Sequence, residues 1–156
     1  MKKIDQLLLQ YSESHQNTTN KLIHWICVPS IMFSLFGLLF AAPFPAEKSL
    51  LVNWAAVVLA AALVYYLRLS VAMFLGFLVI GYLMLAGNNY IFENLGRDSS
   101  KLAIASLIIF AVAWIGQFVG HKIEGKKPSF LEDVQFLLIG PAWLLHFIYK
   151  KLGIAY

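Results

Sequence analysis

Four stretches of this chain, residues 22–42, 49–67, 69–87 and 102–120, contain no Asp, Glu, Lys or Arg. Each is long enough to cross about 30 Å of hydrocarbon, which takes roughly 20 helical residues. Lipid offers no partners to backbone N–H and C=O groups, so such segments must be helical, and the alternation expected of barrel strands is absent. The expected fold is all-α: a polytopic helical membrane protein with about four transmembrane helices, forming a single domain over residues 1–156. Composition agrees, because only 13% of the residues are charged, about half the share in soluble domains.

The chain outside these stretches completes the expected architecture. Residues 1–21 carry Ile4, Leu7, Leu8 and Tyr11 at helical spacing among charges, which suggests a helix lying in the membrane interface. They show no apolar run ending in a small-residue cleavage site, so no removable signal peptide is expected. A fifth apolar stretch, 134–149, is shorter and contains Gly140–Pro141. It is expected to lie in the interface or to dip in and return. Only Arg68 separates the second and third stretches, and a single helix over both would be nearly twice as long as the hydrocarbon core is thick. The chain must therefore turn back near "YYLRLS", with Ser70 as the expected N-cap.

Charge sets the expected threading. With the N-terminus inside, nine basic residues (Lys2, Lys3, Lys21, Arg68, Lys122, Lys126, Lys127, Lys150, Lys151) face the cytoplasm and three (Lys48, Arg97, Lys101) face out. This satisfies the positive-inside rule. The net charge of +4 sits at the span ends, where it suits anionic headgroups; no basic stripe suggests nucleic acid. Cys27 is the only cysteine, which excludes a disulfide framework or a cysteine-built metal cluster within one chain.

The threading places the start of the first span and the end of the fourth on the same side. "HQNTTNKLIHWICVP", residues 15–29, and "QFVGHKIEGKKP", residues 117–128, then become neighbours. Asn20 and His24 share a helix face, as do Gln117 and His121. His15 and His24 would lie on opposite faces of one continuous helix. "QNTT" favours a capped start instead, so a break there lets His15 turn back toward His24. A lone interfacial histidine serves well as an amphipathic anchor, and His146, set among aromatics, reads that way. Three histidines at one end of a bundle also suit metal or proton chemistry. Neutral imidazoles with at most a carboxylate fit a mononuclear non-haem iron(II) site with open positions. Glu124 is the nearest carboxylate candidate, and Asn20 and Gln117 are candidates to orient the imidazoles. Arg68 can snorkel or meet a substrate carboxylate. The spans lack acidic and basic residues, which argues against an ion-coupled transporter. Metalloprotease, esterase and P-loop signatures are missing.

His15, Asn20, His24 and Pro29, followed by Gln117, Gly120, His121, Glu124 and Pro128, resemble the pattern of the small membrane-bound 2-hydroxy fatty acid dioxygenases over about residues 5–150. The resemblance implies iron(II)-dependent shortening of a 2-hydroxy fatty acid by one carbon (alpha-oxidation), with O₂ as co-substrate and His15, His24 and His121 as iron ligands. Characterised members of that family reside in the endoplasmic reticulum and act in phytosphingosine breakdown. This chain departs from the pattern at Cys27, where Gly is expected, and at His146, which has no counterpart. The resemblance implies the endoplasmic reticulum for a eukaryotic chain, and a bacterial one is expected in the inner membrane, while the charge count places both histidine motifs on the cytoplasmic side. A non-catalytic membrane scaffold or lipid-binding protein, and a zinc-dependent membrane hydrolase, remain the alternatives.

Overall fold

The computed structural model describes residues 2–125 and 136–156. These contain six helices: α1 (Lys3–Ser12), α2 (Thr18–Ala41), α3 (Trp54–Leu69), α4 (Val71–Asn94), α5 (Ser99–Glu124) and α6 (Ile139–Leu152). The described residues contain no strand. Helices α2, α4 and α5 are long and apolar enough to cross a membrane, whereas α3 is a shorter apolar helix. Their outer faces carry exposed side chains such as Ile26, Leu83, Val112 and Ile115. Continuous apolar exposure of this kind is what a surface facing lipid requires.

Capping explains where the helices begin. The Asn17 side chain accepts from the N–H groups of Thr19 and Asn20, so α2 starts at Thr18 and the chain before it turns away from the helix axis. Ser70 ends α3 and begins α4 in extended backbone, its Oγ accepting from Met73 N–H at 3.3 Å, as expected for the turn near Arg68. The second span is shorter than its apolar stretch. Asn53 takes the N-cap position, accepting from Ala56 N–H at 2.9 Å and donating to the Ser49 and Leu50 carbonyls. Residues 49–52 therefore fold into a turn and stay outside the helix, because a side chain that satisfies nearby backbone competes with helix continuation. Helix α6 begins at Ile139, placing Pro141 in its first turn, where a missing N–H leaves no helical bond unmade. The expected break thus becomes a helix start. Lys126, Lys127, Pro128 and the first residues of the 134–149 stretch lie outside the described residues.

Helix α2 is the axis of the bundle, packing most extensively along α5 and also against α3, α4 and α6. The α2–α5 seam is close because Gly116 faces Cys27 and Gly120 faces Asn20, with no room at either glycine for a Cβ. This is the small-residue packing expected of that spacing. Cys27, Ile31, Ala113 and Trp114 fill the seam. At one end α1 docks on α6 through Ile4, Leu8, Tyr11 and Trp143, with Trp143 Nε1 donating to Ser12 Oγ at 2.7 Å. At the other end Phe36, Phe40, Leu85, Phe92 and Leu102 form a separate core. There Lys48 donates to the Ala41 carbonyl and to Ser99 Oγ, tying the connection after α2 to the start of α5.

Candidate metal centre

The break between α1 and α2 and the C-terminal turn of α5 meet at one end of the bundle. His15 leaves α1 through a short turn in which its backbone N–H donates to the Ser12 carbonyl at 3.0 Å. His24 stands in the second turn of α2, and His121 in the last turn of α5. Helix α5 ends at Gly125, whose positive φ of 75° lets its N–H close the terminus on the carbonyls of His121 and Lys122. One nitrogen from each of His15, His24 and His121 lies within 4.8 Å of the others. All three side chains are buried, at 1%, 1% and 6% exposure.

Hydrogen bonds fix how the first two imidazoles present themselves. His15 Nδ1 pairs with the Tyr11 carbonyl at 2.7 Å and His24 Nδ1 with the Asn20 carbonyl at 2.9 Å. A carbonyl only accepts, so each Nδ1 carries the proton and, in the neutral ring, each Nε2 presents a lone pair. These two Nε2 atoms face each other at 2.9 Å. Lone pairs so close repel unless a cation lies beside them. With metal–nitrogen bonds of about 2.1 Å, two ligands at a right angle lie about 3 Å apart. The spacing of His15 and His24 matches that arrangement, and a ring nitrogen of His121 lies within 4.8 Å of both. The donor atoms therefore fit a metal of the kind bound by imidazole.

The surrounding groups hold this geometry. The Tyr11 ring stacks on His15 with centroids 4.2 Å apart, and Trp143 packs against both rings, 5.3 Å from His15 and 5.4 Å from Tyr11. Glu124 accepts from the backbone N–H of Gln16 at 2.7 Å, from Asn17 N–H at 2.9 Å and from Asn20 Nδ2 at 2.9 Å. Its carboxylate thus clamps the turn that carries His15, and Glu124 is outside the cluster of ligand atoms. Asn20 acts through its backbone carbonyl on His24 and through its side chain on Glu124. Gln117 is buried, with Oε1 lacking a hydrogen-bond partner among the described residues. It lines a narrow hollow of about 30 Å³ beside Tyr11.

Arg68 and His146 stand outside the cluster. Arg68 is exposed at the C-terminal end of α3. His146, one helical turn after Trp143 in α6, pairs through Nδ1 with Tyr156 OH. Burial lowers its pKa below the ordinary value, and Lys150 adds to that shift while Asp5 opposes it. Tyr11 is the partner that the histidine motifs did not point to. The signal was its position four residues before His15, the same spacing that links Asn20 to His24 and Gln117 to His121.

Comparison with known proteins gives a consistent result. The profile of the family described as "2-hydroxy-palmitic acid dioxygenase Mpo1-like" matches residues 1–152. The 2-hydroxy-palmitic acid dioxygenase MPO1 of Saccharomyces cerevisiae is 28% identical over 148 residues, covering 92% of this chain and 78% of the yeast protein. No solved structure matches.

Proposed function

The chain belongs to the Mpo1-like family, and from that premise we propose that it is an iron(II)-dependent dioxygenase that shortens 2-hydroxy fatty acids by one carbon at the membrane interface. The observation that carries the reading is the meeting of His15, His24 and His121, drawn from opposite ends of the chain, with the Nε2 atoms of the first two facing each other. These three side chains would hold the metal. Iron(II), when bound, supplies the redox chemistry with O₂ that imidazole and carboxylate groups cannot supply alone.

The chain's own residues prepare the site for that chemistry. Tyr11 and Asn20 carbonyls hold the two Nδ1 protons and so keep both Nε2 atoms available as donors. Glu124 fixes the turn that brings His15 across to His24. Tyr11 and Trp143 exclude water from the imidazoles. The buried Gln117 amide offers an acceptor to the substrate's hydroxyl. The carboxylate and hydroxyl of the acid sit at the cytoplasmic interface, with the acyl tail among the helices of a single integral membrane domain.

The test is oxygen uptake by purified, iron-loaded protein given 2-hydroxypalmitic acid, with product chain length read by mass spectrometry. Oxygen consumption with a product one carbon shorter supports the reading. Turnover by zinc-loaded protein without oxygen would support a hydrolase instead. A protein that retains no metal would be a scaffold.

A further inference from the structure

We infer that the acyl tail of the substrate lies in the apolar cavity between α2, α3 and α4, reached past Met32 and extending to Leu59 and Gly81. The inference rests on the dioxygenase reading above and assigns the part of the site that reading leaves open.

Three hollows converge on Met32. The narrow one beside Tyr11 and Gln117 has Met32 and Leu137 in its wall. The same two residues line a larger cavity of about 280 Å³, whose surface is almost wholly apolar and which extends to Val58, Leu59 and Gly81. A third, of about 210 Å³, runs from Met32 toward Trp25, Leu145 and Ile148. Tyr11 stacks on His15, and Gln117 stands one helical turn before His121, so the narrow hollow lies next to the histidine cluster. Among the described residues, its wall carries the buried Gln117 Oε1, which has no hydrogen-bond partner. A ligand with a polar head and an apolar tail satisfies both features: the head meets Gln117 and the histidines, and the tail continues past Met32.

Both cavities are apolar, and the larger offers the tail more room, about 280 Å³ against 210 Å³. Tyr66 closes it from α3 by donating through its hydroxyl to the Leu138 carbonyl at 2.7 Å, so its one phenolic group is already paired. Everything else a tail would meet there is hydrocarbon or aromatic, which favours a methylene chain and penalises a polar one. Met32, unbranched and adaptable, is suited to let a chain pass. In its wall a Cβ on Gly81 would run into the Leu59 side chain, so α3 and α4 are in close contact there.

The experiment uses wild-type protein and 2-hydroxypalmitic acid bearing a photoreactive diazirine at its ω end. Irradiation should attach the probe to Val58, Leu59 or Gly81, and unlabelled 2-hydroxypalmitic acid should suppress the adduct. Adducts on Trp25, Leu145 or Ile148 would place the tail in the other hollow and overturn the assignment. Adducts that the unlabelled acid does not displace, or none at all, would overturn it equally. Leu59→Trp gives a second readout: kcat/KM for 2-hydroxypalmitic acid should fall about ten-fold or more, while a shorter 2-hydroxy acid should be little affected. An equal fall for both acids would contradict it. Oxygen-dependent turnover of unmodified acid, measured in parallel, keeps the two claims apart. Turnover with adducts elsewhere sinks only the cavity assignment, and competed adducts at Leu59 without turnover sink only the dioxygenase reading.

Discussion

His15 and His24 meet Nε2 to Nε2 at 2.9 Å across a chain reversal of nine residues. Both Nδ1 atoms are committed to carbonyls, so the contact is between two donors of electron pairs, and a cation stabilises it. Replacing His15, His24 or His121 singly by Ala should abolish stoichiometric metal in purified protein. Metal analysis checks this directly, and equal metal in wild type and His121→Ala would contradict it.

His146 provides the contrasting case. His146→Phe should keep the metal, because His146 pairs with Tyr156 and is absent from the cluster. Its folded pKa is depressed below 6.5, chiefly by burial. As pH falls through the ordinary histidine value, the unfolded chain takes up the proton first, so stability is lost toward acid. The fall in Tm between pH 7 and pH 5 should therefore be smaller in His146→Phe than in wild type, as measured in detergent by thermal unfolding.

Glu124 acts on the metal through the turn at Gln16 and Asn17. Glu124→Ala should weaken metal affinity about 10–100-fold, the usual effect of removing a group that orients ligands. Glu124→Gln should restore part of it, since its amide oxygen can still accept from one backbone N–H. Metal titration of the apo-protein gives the comparison. A complete loss in both variants, equal to that of His24→Ala, would make Glu124 a ligand instead.

Close packing of α2 on α5 holds His24 near His121. Gly120→Leu should force these helices apart where Asn20 faces the glycine, costing about 1–3 kcal/mol of stability and lowering metal content. Gly96→Ala, at a connection where a Cβ meets nothing within 4 Å, should leave metal content unchanged even though its backbone is strained. Thermal unfolding and metal analysis of the two variants test this.

Sidedness follows from the basic residues near the ends of the spans. In a Cys27→Ala background, cysteines at Glu13 and Lys122, both exposed, should react with impermeant reagents from the cytoplasmic side alone. Labelling of the two positions from opposite sides would contradict a shared site.

Much of this arrangement was legible in the sequence, and the reasons are local. Asn17 and Ser70 cap the helices that their positions suggested, because a polar side chain before an apolar run has few other roles in a membrane bundle. The break at "QNTT" brought His15 back to His24 for the same reason. The true start of α3 was hidden, since residues 49–52 are as apolar as the helix and only the Asn53 side chain stops it. The role of Glu124 was hidden too. Spacing placed it near His121, but its partners are backbone N–H groups more than a hundred residues away, and pattern carries no trace of those. Tyr11 was visible only as an apolar position of α1, because stacking on His15 depends on how the turn closes.

The central claim is tested most directly by giving anaerobically prepared, iron-loaded protein three acids of equal chain length, 2-hydroxy, 3-hydroxy and unsubstituted, and then admitting air. A hydroxyl and a carboxylate oxygen on adjacent carbons form a pair that the other two acids lack, so only the 2-hydroxy acid should be consumed, with oxygen, to a product one carbon shorter. Equal turnover of all three, or turnover before air is admitted, would contradict the account.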